Sequence, residues 1–248
     1  GIADEALEKS WASRTARLAS FRAGPGGRRL VVKVCDRWRS DQARTTFDVA
    51  RRLGAEPDAG TSRARVLEVL DWSAAPPAVV SAHVAGEELT RWVDRCRGED
   101  AGRLRPLMVA AGELLGRFHR RLPVPGNETG PPGRRRVHCA GDFAIYNFRV
   151  ETPEDGDGDG DRLVYMEPPA WRRAVTPYRD LAWFLWALRC QLAGERRLYR
   201  GLRRAFLAGY LGADADWGVV DRLRLQFHLL RRRRARWRGR ARQAAGRR

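Results

Sequence analysis

The chain has 248 residues, 43% of them hydrophobic, which is enough for one large domain or for two lobes with buried cores. No uninterrupted apolar run reaches the roughly 20 residues of a membrane-spanning helix, and no charged-then-apolar leader opens the sequence. The net charge of +18 favours nucleic acid or an anionic surface as a partner. The first residue is Gly rather than Met, which indicates a start inside a longer reading frame or a processed terminus, and we expect a cytoplasmic protein.

The positive charge is unevenly distributed. The segment Arg231–Arg248 holds much of the excess, and a terminal basic run is typical of a solvated tail that binds anions without specificity. Lys9 and Lys33 are the only lysines among 48 basic residues, so a lysine inside an apolar strand needs a specific explanation. The four cysteines are too widely spaced for a metal cluster or a disulfide framework, and we interpret them as reduced thiols.

The first elements predict a β-hairpin. Gly1–Lys9 is predicted as a short helix or an irregular lead-in. Arg17–Arg22 alternates apolar and polar residues, as a half-buried strand does, and Arg29–Cys35 is apolar and β-branched, the clearest strand of the chain. Gly24–Gly27, between them, has the sequence Gly-Pro-Gly-Gly, which is a strong turn signal.

A helix and two strands are predicted next. Asp41–Leu53 has helical periodicity, and Gly54 is well placed to end the helix. Its predicted apolar face consists of Ala43, Phe47, Ala50 and Leu53. Strands are predicted at Val66–Leu70 and Ala78–Val84, separated by a Pro-Pro pair.

The remaining periodic segments are mostly helical. Helices are predicted at Arg103–Arg121, Leu198–Leu211 and Val219–Leu230, and a Pro/Gly linker at Leu122–Arg136. The Asp-Gly repeat near residue 157 superficially resembles a calcium loop, but a strand at Leu163–Met166 follows it instead of the Glu and helix of an EF-hand. We therefore interpret the repeat as a flexible acidic hairpin turn.

One motif carries chemistry. Asp142 follows Gly141, and Asn147 stands five positions after Asp142. In kinases this spacing places a carboxylate at the attacking hydroxyl and a carboxamide on a metal ion. The segment resembles the catalytic loop of the aminoglycoside phosphotransferase and choline kinase group, whose usual form is His-Gly-Asp-x-x-x-x-Asn. Two additional residues separate His138 from Gly141 here, so His138 matches that pattern less closely.

Further segments are similar to the same group in the same order. They are Ala85–Leu89 ("Gly-x-x-Leu"), Leu115–His119 ("Leu-Gly-x-Leu-His") and Pro177–Leu185 ("Tyr-x-Asp-Leu-Ala"). The resemblance gives His119 a structural contact and gives Asp180 the role of steadying the catalytic loop from a helix N-terminus. It implies an α+β, bilobal protein-kinase-like fold: a small β-rich nucleotide-binding lobe over 1–84, a larger helical lobe with the catalytic loop over 85–230, and a basic tail over 231–248.

The resemblance also implies where ATP binds. Lys33, in the strand of the hairpin, would hold the nucleotide phosphates, because a compact ammonium on a rigid strand suits phosphate oxygens. Asp48 is the acid expected to pair with that lysine; Asp41 competes for this role, and a solvent-facing Asp48 among arginines is an equally good interpretation. Ser81 and His83 fall where the group meets the adenine edge. The glycine loop expected at Ser10–Arg14 contains no glycine.

Asp142 is the implied catalytic residue, with Asn147 and Glu167 as the implied Mg²⁺ ligands. The group normally has Asp where Glu167 stands, so the extra methylene bears directly on activity. The resemblance therefore implies an ATP- and Mg²⁺-dependent phosphotransferase acting on a hydroxyl of a small molecule, with aminoglycosides, other sugars, choline-like alcohols and glycans all open as acceptors. The alternative is a weakly active pseudokinase, or a protein that binds nucleic acid or an anionic surface through Arg231–Arg248.

Overall fold

A computed structural model describes residues 7–12, 16–22, 27–35, 40–54, 63–97, 101–122, 124, 136–152, 160–169, 174–212, 218 and 221–231. Contacts between Cα atoms divide the chain into two compact units, one of Gly1–Glu88 with Phe148–Arg172 and one of Leu89–Asn147 with Arg173–Arg248. The first unit contains most of the strands and the second most of the helices, which confirms the predicted α+β class. None of the described helices is both long and apolar enough to cross a bilayer.

Most strands within the described residues are formed by segments that are rich in apolar and β-branched residues. In chain order they are β1 (Leu7–Ala12), β2 (Arg17–Arg22), β3 (Arg29–Val34), β4 (Ala64–Val66), β5 (Val69–Ala74), β6 (Pro77–Ala82), β7 (Glu87–Glu88), β8 (Val137–His138), β9 (Phe148–Glu151), β10 (Arg162–Tyr165) and β11 (Ala174–Val175).

An antiparallel five-stranded sheet dominates the first unit, with the strand order β1-β2-β3-β6-β5. The predicted hairpin is β2–β3, in which Leu18 lies opposite Lys33. β3 also pairs with β6, where Val79 lies opposite Lys33, so this lysine stands on an interior strand. The prediction of a helix or irregular lead-in is wrong for residues 7–9, because pairing with β2 makes them the start of a strand.

The helix α1 (Ser40–Gly54) packs against this sheet as its periodicity predicted. Its buried residues are Ala43, Thr46, Val49, Ala50 and Leu53. Phe47, assigned to the apolar face from the sequence, is only half-buried and has the Arg51 guanidinium 5.4 Å from its ring centroid.

A second sheet of the first unit has the order β4-β10-β9-β7. β9 and β10 form the predicted antiparallel hairpin, and most of its acidic turn lies outside the described residues. Gly86 precedes β7 with φ of +111°, and a Cβ there would lie 2.1 Å from the Val150 carbonyl oxygen. Only glycine tolerates both the left-handed backbone and this approach to β9.

The second unit consists mainly of helices. They are α2 (Leu89–Arg95), α3 (Ala101–Arg121), α4 (Tyr178–Gln191), α5 (Arg196–Leu211) and α6 (residues 221–231). α3 and α5 pack on each other at glycines: a Cβ on Gly112 would lie 2.0 Å from Phe206 O, and one on Gly209 would lie 2.0 Å from Val109 O. The two backbones therefore touch, as they can only where a side chain is missing.

The units do not follow the division made from the sequence. That division assigned all of 85–230 to one lobe, whereas contacts group Phe148–Arg172 with the N-terminal strands. The reason is strand pairing, since β10 pairs with β4 and β9 pairs with β7. Residues 232–248, nearly all of the basic tail, lie outside the described residues.

Candidate active site

In the first unit, Lys33 forms an ion pair with Glu167. Its Nζ lies 2.5 Å from Glu167 Oε1, and the side chains are 22% and 38% exposed. β3 holds the lysine, and Glu167 follows β10, whose last residue, Tyr165, is fully buried. Because the pair is partly exposed, its net contribution to stability is small. The pair keeps an ammonium on an interior strand of the sheet beside a carboxylate.

Asp48 has a different partner from the one expected. The Arg44 Nε lies 3.9 Å from Asp48 Oδ2, one turn away on α1, and the Asp48 side chain is 43% exposed. The carboxylate found at Lys33 is that of Glu167, which is 134 residues away in sequence. The structure thus corresponds to the alternative interpretation of Asp48 as a surface acid among arginines.

Ser81 and His83 contribute polar groups to the five-stranded sheet. Ser81 is 5% exposed, and its hydroxyl donates to Val31 O at 3.4 Å. The main-chain N–H of His83 donates to Arg29 O at 2.9 Å. The Ser81 hydroxyl and the His83 N–H therefore each connect β6, or the residue that follows it, to β3.

In the second unit, the buried carboxylate of Asp180 organises the loop that precedes Asp142. Asp180 is 1% exposed and lies in the first turn of α4. Its Oδ2 accepts the Ala140 N–H at 2.7 Å, and its Oδ1 accepts the Cys139 thiol at 3.2 Å. The sequence-based expectation that this acid steadies the loop through backbone contacts agrees with these hydrogen bonds.

Two further helices reach the same carboxylate through His119 of α3. The His119 Nε2 lies 3.1 Å from Asp180 Oδ2, and its Nδ1 lies 3.0 Å from the Tyr210 hydroxyl on α5. The imidazole is 8% exposed, in line with the structural contact expected for it. Asp180 therefore connects α3, α4, α5 and the loop through buried polar groups, all of which have partners.

Burial beside Asp180 makes neighbouring acids harder to ionise. It raises the pKa of the Cys139 thiol to about 12, mainly through desolvation and secondarily through the Asp180 charge. Burial, with the same charge as a smaller cause, also raises the pKa of the Tyr210 hydroxyl. The Cys139 thiol therefore stays protonated at neutral pH and acts as a hydrogen-bond donor rather than as a nucleophile.

The carboxylate of Asp142 is held by two aromatic side chains. Tyr146 donates its hydroxyl to Asp142 Oδ1 at 2.7 Å, and the Trp183 indole N–H donates to the same oxygen. Both donors converge on one oxygen of the carboxylate, so the plane of the group is set while its other oxygen faces elsewhere. A carboxylate held in this way can accept a hydrogen bond from a hydroxyl in a defined direction.

The sequence-based site did not include Tyr146 or Trp183, although both carry a usable signal. Tyr146 lies inside the Asp-x-x-x-x-Asn motif, four residues after the acid, and Trp183 lies three residues after Asp180 on the helix already assigned to the site. Aromatic donors at positions that must be close to a catalytic acid are candidates for orienting it.

Asn147 is oriented by the chain that leads to it. Its Nδ2 donates to the Asp142 main-chain oxygen at 2.7 Å, and its own N–H donates to Ala144 O at 2.9 Å in the 3₁₀ turn Ile145–Asn147. Because the carboxamide nitrogen is bound to the backbone, Oδ1 is the side-chain atom that can act as an acceptor or ligand. Oxygen ligands of this kind are the ones that Mg²⁺ prefers.

The loop rests on an aromatic stack. Phe143 is fully buried, with its ring centroid 5.7 Å from that of Phe184 on α4. Phe184 in turn stacks on Phe206 of α5 at 4.2 Å and 9°. His138, the less closely matching histidine, lies on β8 opposite Ala174 of β11. Asp142 therefore follows a short strand pair and is flanked by a residue anchored in the core.

Within the described residues, no group of three or more His, Cys, Asp or Glu side chains is arranged to hold a metal ion. A magnesium site of the kinase type does not need one, because Mg²⁺ is commonly held by one or two protein oxygens together with phosphates and water. Asn147 in the second unit carries a carboxamide oxygen and Glu167 in the first unit a carboxylate, each a type of oxygen that Mg²⁺ accepts as a ligand.

No protein-family profile and no curated protein sequence matches the chain. By fold, an aminoglycoside phosphotransferase from Streptomyces rimosus is similar at 18% identity over 92% of this chain and 92% of that one, with a TM-score of 0.46. A structure of that enzyme in complex with ADP and streptomycin has the same values. An ethanolamine kinase from Plasmodium vivax is similar at 9% identity over 87% of this chain and 71% of that one, with a TM-score of 0.52.

The likeness to the ethanolamine kinase concerns the fold alone, because 9% identity is too low to transfer an activity. It confirms the expected protein-kinase-like fold, with strands mainly in the N-terminal part and helices mainly in the C-terminal part.

Proposed function

We propose that the protein is an ATP-dependent phosphotransferase that acts on a hydroxyl group of a small molecule. The observation that carries the proposal is the Asp142 carboxylate, one oxygen of which accepts hydrogen bonds from Tyr146 and Trp183. The loop before it is bound by the buried Asp180. A surface acid needs no such support, whereas a group that must meet a hydroxyl at a defined angle does.

The acceptor hydroxyl would donate its hydrogen bond to Asp142 Oδ2. Its oxygen then attacks the γ-phosphorus of ATP, and the bond from that phosphorus to the bridging oxygen of ADP breaks. The hydroxyl proton passes to Asp142 and from there to solvent, and ADP leaves with the bridging oxygen. Such transfers depend on positioning and charge neutralisation more than on covalent chemistry of the protein.

Lys33 is assigned to the nucleotide phosphates, and its ion pair with Glu167 supports this assignment. The ammonium already lies 2.5 Å from an anionic oxygen, so it can make the same kind of contact with a phosphate oxygen. The adenine edge is assigned to main-chain groups of the segment around His83 that follows β6. Asp48 is left out of the nucleotide site, because its side chain pairs with Arg44.

Asn147 Oδ1 and the Glu167 carboxylate are the oxygens assigned to Mg²⁺, which would neutralise charge on the β- and γ-phosphates when bound. Glu167 is one methylene longer than the Asp usual at this place. Its carboxylate is also the partner of Lys33, so the residue joins phosphate binding and metal binding in one side chain.

The test is a nucleotide-consumption screen over hydroxylated compounds, including aminoglycosides, other sugars, amino alcohols and glycans. We expect one class of acceptor to raise ADP release, with Mg²⁺ required. Asp142→Ala should abolish this release, and the matched variant Asp71→Ala, at an exposed position of β5, should leave it unchanged. Acceptor-dependent turnover that survives in Asp142→Ala would contradict the proposal.

A second function is favoured by Glu167, which stands where the resembling group usually has Asp, and by the arginine-rich segment Arg231–Arg248. The protein would then bind nucleotide without turnover, or bind an anionic partner through Arg231–Arg248. Removing Arg231–Arg248 distinguishes this function from the phosphotransferase. Phosphotransfer that persists while polyanion binding is lost would make the tail an accessory to the enzyme.

A further inference from the structure

The helix α6 is attached to the second unit by one of its faces. Leu225 is fully buried, and the Tyr178 hydroxyl on α4 donates to Asp221 Oδ1. The rings of Tyr178 and His228 stack with centroids 6.2 Å apart, and the Thr176 hydroxyl lies 3.4 Å from His228 Nε2. At about 100° per residue, Asp221, Leu225 and His228 fall on one side of an α-helix. The orientation of α6 is therefore set.

The opposite face of α6 is apolar and exposed. Leu223, Phe227 and Leu230 are 63%, 58% and 54% exposed. Positions i, i+4 and i+7 lie within a sector of about 60° on a helix, so the three side chains form a single stripe. The other large hydrophobic residues exposed among the described residues are Leu70 and Tyr146, which are not on this helix. A clustered stripe marks an interaction surface, whereas scattered apolar residues do not.

The apolar stripe is bordered by positive charge. Arg222 and Arg231 are exposed and fall on opposite sides of it, and the Arg231 guanidinium lies 5.8 Å from the centroid of the Phe227 ring. No Asp or Glu follows Asp221 in the sequence. The residues after α6 continue the positive charge with Arg232, Arg233, Arg234, Arg236, Arg238, Arg240, Arg242, Arg247 and Arg248.

We propose that the stripe of α6 docks on the surface of a lipid bilayer with anionic headgroups. An amphipathic helix that has Leu and Phe on one face, with arginines at the border, lies in the plane of such an interface. Its apolar side chains enter the boundary of the acyl chains while the arginines meet the headgroup charge. This property of the second unit is independent of whether the protein transfers phosphate.

The bilayer fits better than the other candidate occupants. A second copy of the chain would bring the same arginines against one another in a protein of net charge +18. A nucleic acid would match the arginines through its phosphates but would leave Leu223, Phe227 and Leu230 without an apolar partner. A bilayer interface is the occupant that satisfies both the stripe and its border.

The test is flotation of the full chain with vesicles of phosphatidylcholine mixed with phosphatidylglycerol, and with vesicles of phosphatidylcholine alone. We expect binding to the mixed vesicles and much less to the neutral ones. The triple variant Leu223→Ser, Phe227→Ser, Leu230→Ser should lower the partition coefficient on mixed vesicles at least about tenfold, a change of about 1.4 kcal/mol. Phe227→Ser alone should give a smaller loss, and Leu70→Ser, an exposed leucine of β5, should give none.

Other results would overturn the proposal. Equal binding by the triple variant and the unchanged protein would mean that the arginines act alone. Equal binding to neutral and mixed vesicles would remove the role of charge. A triple variant that is monomeric where the unchanged protein is a dimer, without a difference in vesicle binding, would identify a second copy as the occupant. Unchanged thermal unfolding of each variant verifies that the loss is not one of folding.

Discussion

Tyr146 donates a hydrogen bond of 2.7 Å to the Oδ1 of Asp142, the proposed catalytic carboxylate, from within the same short loop. The same oxygen accepts the indole N–H of Trp183, so a phenol and an indole together orient one acid. A carboxylate that is free to rotate would present its second oxygen to a hydroxyl in many directions. The two aromatic donors restrict the second oxygen of the carboxylate to a few directions.

Tyr146→Phe removes one of these donors and keeps the ring. A hydrogen bond to a charged group contributes about 1.5–3 kcal/mol, so we expect kcat to fall about tenfold or more while the KM for ATP stays unchanged. Steady-state kinetics with the acceptor found in the screen provide the measurement, and Tyr199→Phe on α5 is the control. A fall in thermal stability with kcat preserved would show that the phenol is merely structural.

Lys33→Met should weaken nucleotide binding by about ten- to a hundredfold, the equivalent of about 1.5–3 kcal/mol lost with one charge-assisted hydrogen bond. Isothermal titration with ADP in the presence of Mg²⁺ measures this loss of affinity, and Lys9→Met, at the chain's other lysine, is the control.

Glu167→Asp should retain Mg²⁺-dependent turnover, and Glu167→Gln should lose it, because only the first variant keeps a carboxylate. Full turnover in Glu167→Gln would remove this residue from the metal site.

Asp180→Asn should destabilise the second unit by about 2–3 kcal/mol, since a buried carboxylate with three hydrogen-bond partners becomes a neutral amide with one acceptor atom. The midpoint of urea unfolding, followed by circular dichroism, measures the loss. Glu113→Gln removes an exposed charge from α3 and should shift the midpoint very little. Equal midpoints for the two variants would show that the carboxylate does not support the loop.

Gly112→Ala should be among the most damaging small substitutions, because the new Cβ would lie 2.0 Å from the Phe206 main-chain oxygen. Overpacking of this kind costs about 1–3 kcal/mol or more, and here the obstacle is backbone rather than a flexible side chain. Gly201→Ala, on α5 with nothing within 4 Å of its Cβ, is the matched control. It should stabilise the helix by about 0.5–1 kcal/mol, and thermal unfolding of both variants distinguishes packing from propensity.

Cys139 should resist alkylation by iodoacetamide at pH 8 in the folded protein. Its pKa is raised from 9.0 to about 12 by burial and then by the Asp180 charge, so its thiolate is about a thousandfold scarcer than that of an ordinary thiol. The folded pKa lies above the unfolded value, so this group stabilises the fold fully below about pH 9 and ceases to do so as the pH rises towards 12. Mass spectrometry of the labelled chain, with and without urea, measures the reactivity, and rapid labelling without urea would contradict the burial.

The sequence predicts those strands and helices whose own residues carry a periodic pattern or a turn signal. The hairpin β2–β3 follows from alternation and a Gly-Pro turn, and α1 follows from its periodicity and Gly54. β1 was missed, because the segment Leu-Glu-Lys-Ser-Trp-Ala carries no period-two apolar pattern and becomes a strand through pairing with β2.

The predicted site differs from the observed one where partners are distant in sequence. The sequence predicts the acid next to Lys33 in the neighbouring helix, at Asp48, but Glu167 reaches this lysine from the segment after β10. Nothing in a local window identifies a contact across 134 residues. Asp180 was placed correctly because a helix N-terminus and a family-like motif coincide there. Trp183, one turn further along α4, donates a hydrogen bond to Asp142, and no motif identifies this contact.

The discontinuity of the first unit has a consequence for how the chain is made. In the second sheet β4 pairs with β10 and β7 pairs with β9, and β9 and β10 follow Asn147 in the sequence. A nascent chain that has emerged as far as Glu88 therefore lacks half of that sheet. The first unit can be completed only after α2, α3 and the Asp142 loop have been synthesised, because residues 148–172 come after them in the sequence.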